Sequence, residues 1–375
     1  MVERNYENEN TDKNMKNVVV NGANGYVGSN FVQKLLKDGY SVVALVRAND
    51  KESPKARMMQ ALREKCDDEE VNTDRLRVYE YSLLEKEFDL SESVLKEIFQ
   101  GDVEYFHFAA SLKFDARSRE EIFDINVEGV RNSMDVFLRY ASEESRFFFI
   151  STAYTCGKTE EKFEERFYEN ADISQFRNYY EQSKRFAENL VKEYIEEKNL
   201  RAHILRLSQV VGNNKTGVTK TDYGIFDFVK RVHNLAQRYP GKTIRIQVDP
   251  FSNQNLIPID MVVDFLTRTI ETAEVPDIIN LVSKNPVQNQ KIIRSIDQLV
   301  PISILPREKV DKQQMNSLEK VVAAGMSFTS SYIDTRIDFD TKNRDIIMNS
   351  HSNEVSEDSV HSMIVYYLEH QLKNG

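Results

Sequence analysis

The feature that most constrains the fold is an alternation of two patterns along the first 210 residues. Short apolar runs rich in β-branched and aromatic residues are separated by longer segments with helical apolar spacing. The runs are NVVVNG, SVVALVR, LRVYEYS, VEYFHFAA, RFFFIST and AHILRLS. This alternation predicts βαβ units, and therefore an α/β fold with a doubly wound parallel sheet covered by helices.

Three glycines mark the junction between the first apolar run and the first helical segment. Gly22, Gly25 and Gly28 stand at steps of three in NGANGYVG, in a chain with 13 glycines in all. The first permits a tight turn off the strand, the second a close approach of backbone N–H groups to a ligand, and the third close packing of helix on sheet. The spacing is GxxGxxG rather than GxGxxG, but its place after a strand and before an amphipathic helix predicts a Rossmann-type site for a pyrophosphate.

The end of the second strand selects the cofactor. An acidic residue there accepts the ribose hydroxyl of NAD, whereas a cation pairs with the 2′-phosphate of NADP. The residue is Arg47, and Arg57 supplies a second cation if the intervening loop folds back. The sequence therefore predicts NADP(H).

A catalytic pair is predicted in NYYEQSKRFAENLV. Tyr180 and Lys184 are four residues apart in a helical segment and share a face, so the ammonium is expected to lower the pKa of the phenol. Tyr179 lies off that face. The buried strand RFFFIST ends in hydroxyls, and Thr152 is the candidate to hydrogen-bond a substrate carbonyl; the alternative is a strand end that Thr152 merely caps.

These motifs together identify a family. The glycine seam, YFHFAA followed by INVEGVRN, ISTAYTCG, YEQSK, LRLSQVVG and NLIPID resemble, in that order, the extended short-chain dehydrogenase/reductases over residues 16 to 265. The resemblance implies chemistry by Thr152, Tyr180 and Lys184, with Lys184 also on the nicotinamide ribose and Asn126 supporting the site. The full predicted cofactor set is Gly22, Gly25, Tyr26, Gly28, Arg47, Arg57, Ala109, Asn126 and Lys184.

Further segments indicate a branch of this family. ALVRANDKESPKARM, FDLSES, VVGNNKTGVTKTDYG and SYIDTRIDFDTKN resemble the thioester reductases and fatty acyl reductases, which use NADPH. The resemblance implies an NADPH-dependent reductase that transfers hydride to the carbonyl of an acyl thioester or aldehyde, giving aldehyde or alcohol. Two positions depart from the pattern: the usual aspartate after the third strand is Ser82, and the glycine before LS is Asp89.

Two other functions remain open. A nucleotide-sugar epimerase or hydroxysteroid-type dehydrogenase resembles the same extended fold, although Ala153 and Tyr154 stand where sugar dehydratases carry Asp-Glu. A non-catalytic NADP(H)-sensing module is the second alternative, which the intact Thr152, Tyr180 and Lys184 disfavour.

The domain organisation follows from where the alternation weakens. We expect a disordered polar tail over residues 1–14 and a Rossmann domain over 15–210. Residues 211–375 are expected to form mainly a smaller C-terminal substrate-binding subdomain, with about 225–265 returning to the Rossmann core.

Composition excludes several partners. The net charge of −10 argues against nucleic acid and anionic membranes, and no apolar stretch is long enough to span a bilayer. Cys66 and Cys156 form no metal or disulfide spacing, so we expect no metal and a cytoplasmic location. The expected partner is a small-molecule or thioester-linked acyl substrate on CoA or a carrier protein, and a homodimer is left open.

Overall fold

A computed structural model describes residues 16–49, 51–67, 70–325, 332, 336–348 and 354–372. The predicted tail over residues 1–14 lies outside the described residues. In the first half, strands and helices alternate: β1 Asn17–Asn21, α1 Tyr26–Lys37, β2 Ser41–Val46, α2 Pro54–Lys65, β3 Leu76–Glu80, α3 Glu92–Ile98 and β4 Val103–His107. Then follow α4 Arg119–Phe123, α5 Gly129–Tyr140, β5 Arg146–Thr152, α6 Tyr179–Lys198 and β6 Ala202–Leu207.

The second half is less regular. It contains β7 Gln209–Val211, α7 Ile225–Arg238, β8 Thr243–Gln247, β9 Asn253–Gln254, β10 Leu256–Pro258, α8 Ile259–Glu271 and β11 Ile278–Leu281. The chain continues with β12 Val287–Gln288, α9 Asn289–Asp297, β13 Ser303–Arg307, α10 Ser317–Gly325, α11 Lys342–Met348 and α12 Glu357–Tyr366.

Seven strands form one parallel sheet in the order β3-β2-β1-β4-β5-β6-β11. The six apolar runs of the sequence are its first six strands, which confirms the predicted doubly wound α/β fold. Because β1 and β4 are neighbours although two strands separate them in sequence, the strand order reverses there. A ligand cleft is expected at the carboxyl ends of strands that flank such a reversal.

The two faces of the sheet carry separate hydrophobic clusters. Val18 and Val20 pack with helices α1, α2 and α8, whereas Val19 packs with α3, α5 and α6. This alternation is the period of two that a strand buried on both faces requires. In α1, four apolar residues on one helical face are all buried: Phe31, Val32, Leu35 and Leu36.

A third hydrophobic cluster forms the core of the second part of the chain. It is built from α7, α9 and α12 with strands β8 and β13, which pair with each other in parallel. Residues 225–265, which were expected to return to the Rossmann core, divide between two clusters. Helix α7 belongs to this third cluster, because its buried side chains pack there, whereas α8, β11 and Ile347 of α11 pack on the large sheet.

Among the described residues, we find no helix both long and apolar enough to cross a bilayer.

Candidate active site

The turn after β1 requires glycine at two positions. Gly22 has a φ of +62°, and a Cβ added to it would lie 2.7 Å from the backbone nitrogen of Ala109. A Cβ on Gly28 would lie 2.6 Å from the carbonyl oxygen of Gly22. The glycines therefore allow the turn, the loop after β4 and the first turn of α1 to pack backbone on backbone.

Helix α1 begins in a way that suits an anion. Its N-terminal residue Gly25 is exposed, no side chain caps the helix, and its first turn contains no acidic residue. N–H groups of the first helical turn have no partner within the helix, and they carry the positive end of the helix dipole. These residues fit the pyrophosphate of a dinucleotide. Tyr26 instead directs its hydroxyl to the carbonyl of Val211, 3.2 Å away, and so ties α1 to β7.

Asn21 organises this turn from below, although sequence reasoning did not select it. Its Oδ1 accepts hydrogen bonds from the backbone N–H groups of Phe108 and Ala109, at 2.9 and 3.0 Å. Its Nδ2 lies 2.8 Å from Nδ1 of His107. The sequence feature that could have identified Asn21 is a polar residue directly before Gly22, at the end of an apolar strand. A buried polar side chain in such a place needs hydrogen-bond partners.

The carboxyl end of β2 carries the two predicted cations. Arg47 is exposed, and the guanidinium of Arg57 donates a hydrogen bond to the carbonyl of Arg47. The start of α2 therefore brings Arg57 to the end of β2. Tyr81 lies beside them: burial raises its pKa to about 12, while the charge of Arg47 and a hydrogen bond from the backbone of Gly22 oppose that rise.

Lys184 is buried against β5. Its Nζ donates a hydrogen bond of 2.9 Å to the carbonyl of Ile150 and lies 4.7 Å from the centroid of the Phe149 ring. Only 2% of Lys184 is exposed. Because burial penalises the ammonium, the pKa of Lys184 falls to about 7, and the carboxylate of Glu188 opposes this fall.

Tyr180 stands one helical turn before Lys184, on the same face of α6. Its ring packs edge-on against Phe114, with centroids 5.5 Å apart. The expected lowering of its pKa is wrong for this structure, because burial raises the pKa of the phenol and the nearby charge of Glu181 raises it further. The phenol is therefore protonated at neutral pH.

Thr152 ends β5, where its hydroxyl is already engaged. Oγ1 donates to the carbonyl of Leu207 and accepts from the backbone N–H of Tyr154, both at 3.3 Å. Thr152 thus caps the following turn, which was the structural alternative to a catalytic role. Both hydrogen bonds are longer than the usual distances of hydroxyl and amide donors.

Asn126 links the loop after β4 to helix α6. It lies in a π-helical turn, Asp124–Glu128, inserted between α4 and α5. Its side chain bonds the backbone N–H and carbonyl of Ser111 and donates to the hydroxyl of Ser183, which lies between Tyr180 and Lys184 in sequence. Such π-turns occur often at functional sites.

The chain matches a known protein family over most of the large sheet. A family model described as male sterility protein matches residues 20–266. This chain belongs to the male sterility protein family. It is thus a member of the extended short-chain dehydrogenase/reductases, whose members are NAD(P)-dependent oxidoreductases, epimerases and dehydratases.

A curated relative of this male sterility family member is the nonribosomal peptide synthetase asaC of Aspergillus flavus. The two are 26% identical over 254 residues, which is 65% of this chain and 24% of the relative. The chain therefore spans about a quarter of the length of that protein.

Solved structures share the fold. The terminal R domain of the myxalamid PKS-NRPS pathway superposes with a TM-score of 0.74 at 16% identity, covering 96% of this chain and 92% of that domain. A thiolation-reductase di-domain of an archaeal non-ribosomal peptide synthetase gives 0.71 at 17% identity, with 96% and 76% covered. UDP-glucuronic acid 4-epimerase from Bacillus cereus, in complex with NAD, gives 0.64 at 16% identity, with 95% and 99% covered.

The departure from the family pattern at Asp89 lies in a stretch of backbone with positive φ. Glu87, Phe88 and Asp89 all have positive φ, of 53°, 59° and 58°. Asp89 occupies the position where the family carries glycine, and its left-handed conformation is the one glycine adopts at least cost. At the other departure, the backbone N–H of Ser82 bonds to the carbonyl of Phe88 at 2.9 Å and so closes this left-handed turn.

Proposed function

We propose that this protein is an NADPH-dependent reductase that transfers hydride to the carbonyl carbon of an acyl thioester or an aldehyde. The observation that supports the proposal is the hydrogen bond from Lys184, which follows Tyr180 by one helical turn of α6, to Ile150 of β5, the strand that ends at Thr152. That strand end lies in the same sheet edge as the uncapped start of α1. A carboxyl edge of this kind is where open α/β sheets bind dinucleotides.

The protonation states favour the reductive direction. NADPH, when bound, supplies the hydride. Burial keeps the phenol of Tyr180 protonated at neutral pH, so it can give its proton to the carbonyl oxygen. Lys184 shares the face of Tyr180 and is proposed to hold the ribose. Thr152 is proposed to orient the carbonyl oxygen, and for this its hydroxyl must turn away from the carbonyl of Leu207, to which it makes a long hydrogen bond of 3.3 Å.

The preference for NADPH is inferred from the end of β2. Residues 47–49 are Arg-Ala-Asn, so no carboxylate stands there to accept the ribose 2′-hydroxyl. Arg47 is exposed and Arg57 is held beside it. Two guanidinium groups at this position suit a 2′-phosphate, which they can bind through charge-assisted hydrogen bonds.

The substrate class is inferred from the similar proteins. One is a nonribosomal peptide synthetase and another is a reductase domain joined to a thiolation domain. We therefore propose an acyl group bound as a thioester to CoA or to a carrier protein, with the aldehyde as a second substrate. Both described thiols, Cys66 and Cys156, are free and buried, in keeping with the proposed cytoplasmic location.

The test is a substrate panel with a matched pair of variants. Oxidation of NADPH and NADH is followed spectrophotometrically with acyl-CoA, acyl-carrier and aldehyde substrates. Tyr180→Phe should lower kcat at least about 100-fold, because it removes the proton donor. Tyr179→Phe is the control, because it removes the hydroxyl of the neighbouring tyrosine and should retain activity. The ring of Tyr179 lies 5.8 Å from Cζ of Arg119, measured to the ring centroid.

Three results would overturn the proposal. Full activity of Tyr180→Phe would show that Tyr180 is not the proton donor. Conversion of UDP-sugars without net cofactor oxidation would favour an epimerase, the function of one protein with the same fold. Saturable NADPH binding without turnover of any panel member would favour a sensing module.

A further inference from the structure

A buried carboxylate lies one helical turn beyond Lys184. Glu188 is 1% exposed, and its two oxygens receive a bidentate ion pair from Arg206 of β6, at 3.0 Å from Nε and 2.7 Å from Nη2. Arg206 is itself 0% exposed. Arg206, the last residue but one of strand β6, is therefore a buried charge paired with this carboxylate, as buried charges generally are.

The same carboxylate gathers the hydroxyls of the active-site strand end. Oε1 of Glu188 accepts from Ser151 Oγ at 2.6 Å and from Thr155 Oγ1 at 3.3 Å. Thr155 also donates to the backbone carbonyl of Thr152, at 3.0 Å. Glu188 thus reaches both sides of Thr152 through hydrogen bonds.

The charges around Lys184 are few. On α6 itself, the carboxylate of Glu188 raises the pKa of Lys184. The same helix places Arg185 near Glu188. From β4, His107 faces Lys184, but burial and the lysine charge lower the pKa of His107 to about 3, so it is neutral. From β6, Arg206 is paired with Glu188, and its other N–H groups donate to backbone carbonyls. The π-helical turn presents the neutral amide of Asn126, through Ser183.

We propose that Glu188 is a positioning residue of the active site, which favours the ammonium form of Lys184 and fixes the strand end that carries Thr152. The proposal rests on the proposed function insofar as Lys184 and Thr152 are active-site residues. A carboxylate one turn away favours the ammonium that burial penalises, and the bidentate contact with Arg206 fixes the position of that carboxylate.

The chain contains a matched pair that tests whether this arrangement is merely structural. Arg146 and Glu104 form an equally buried bidentate ion pair, with 3% and 1% exposure, between neighbouring strands of the same sheet. They lie near the amino ends of β4 and β5, the edge of the sheet opposite Thr152. A variant there loses a comparable ion pair without affecting the charge next to Lys184.

The experiment titrates Lys184 in the protein without substrate. Protein labelled with ¹³Cε-lysine is followed by NMR from pH 5 to 10, and the Lys184 signal is assigned by its absence in Lys184→Arg. In Glu188→Gln the titration midpoint of Lys184 should fall by about one pH unit or more. In Glu104→Gln it should stay at the wild-type value. A midpoint shift no larger in Glu188→Gln than in Glu104→Gln would overturn the proposal.

Removing one partner of a buried ion pair can prevent folding. The double variants Glu188→Gln/Arg206→Met and Glu104→Gln/Arg146→Met remove both buried members of each pair and serve in that case. Lys16, the other cation bound to Glu104, is 42% exposed and so remains in contact with water. The titration midpoint of Lys184 should fall in Glu188→Gln/Arg206→Met and not in Glu104→Gln/Arg146→Met. An unchanged midpoint in the first of these variants would refute the role proposed for Glu188. Because the titration needs no turnover, a failed substrate panel with a shifted midpoint would reject the reductase and keep the role of Glu188.

Discussion

The guanidinium of Arg57, on the first turns of α2, donates a hydrogen bond to the backbone carbonyl of Arg47 at the end of β2. The hydrogen bond joins the helix to the end of the strand and holds two cations at one end of the sheet. Ser53 caps the helix by accepting from the N–H of Ala56 at 3.2 Å, so the helix start that positions Arg57 is itself fixed.

Replacing Arg47 tests cofactor choice. We expect Arg47→Ala to weaken NADPH binding by roughly 10- to 100-fold, since a charge-assisted hydrogen bond contributes about 1.5–3 kcal/mol. NADH binding should change little. Dissociation constants for both cofactors, from nucleotide fluorescence titrations, measure the effect. Arg75→Ala is the control, because Arg75 is exposed, like Arg47, but lies at the opposite edge of the sheet. There it donates a hydrogen bond to the backbone carbonyl of Gly39. Equal loss of both cofactors in Arg47→Ala would contradict the prediction.

Two glycines with positive φ allow the cost of a steric clash to be measured apart from the cost of a left-handed backbone. At Gly22, with φ of +62°, an added Cβ would stand 2.7 Å from the Ala109 backbone, whereas at Gly101, with φ of +73°, it would meet no atom within 4 Å. Gly101→Ala should lower the free energy of unfolding by about 1–2 kcal/mol, the cost of a left-handed alanine. Gly22→Ala should lose about 1–3 kcal/mol more, because the backbone must move. Urea denaturation measures both, and similar losses would show that the close approach at Gly22 is not needed.

The buried Lys184 makes stability depend on pH. Its pKa is lowered to about 7 by burial, from 10.5. Between these values the unfolded chain binds a proton that the folded protein does not, so the free energy of unfolding should rise as pH increases from 7 towards 10. The limit for one proton is about 1.4 kcal/mol per pH unit. Urea denaturation at several pH values should show a smaller rise in Lys184→Met.

The exposed Lys96 provides the control for this pH series. Its side chain is 68% exposed in a surface pair with Glu92. Lys96→Met should therefore keep the wild-type dependence of stability on pH. Parallel curves for wild type and Lys184→Met would mean that Lys184 is charged in the folded protein across this range.

Asp89 tests the left-handed turn. Its φ of 58° is costly for a residue with a Cβ. Asp89→Gly should therefore raise the free energy of unfolding by up to about 1 kcal/mol, after the entropy that glycine adds to the unfolded chain. Glu85, with φ of −81°, is the comparison, and Glu85→Gly should destabilise. Thermal unfolding of the two variants, measured by circular dichroism, should move in opposite directions.

Local patterns were enough to predict the sheet and the glycine turn. The runs around Val19, Val43 and Phe148 became neighbouring or nearby strands of one sheet, since a run of apolar β-formers can be buried only in such a layer. Gly39 follows α1 with a φ of +85°, the left-handed conformation in which glycine commonly ends a helix. These features depend on residues close in sequence, where backbone sterics and periodicity decide the outcome.

Contacts between distant segments could not be predicted in the same way. Helix α7 has an amphipathic pattern that fits either core, and it packs in the cluster around Ile244 rather than on the large sheet. The pKa of Tyr180 depended on burial and on Glu181, neither of which the spacing to Lys184 revealed.

The sequence by itself determined the order of strands and helices, the glycine-dependent turn and the shared helical face of Tyr180 and Lys184. Each of these follows from interactions within a few residues. Only the tertiary structure decided which charges are buried together, as in Glu188 with Arg206, and how far desolvation shifts the pKa of Lys184. Burial and electrostatic fields are produced by segments far apart in the chain, so no local pattern encodes them.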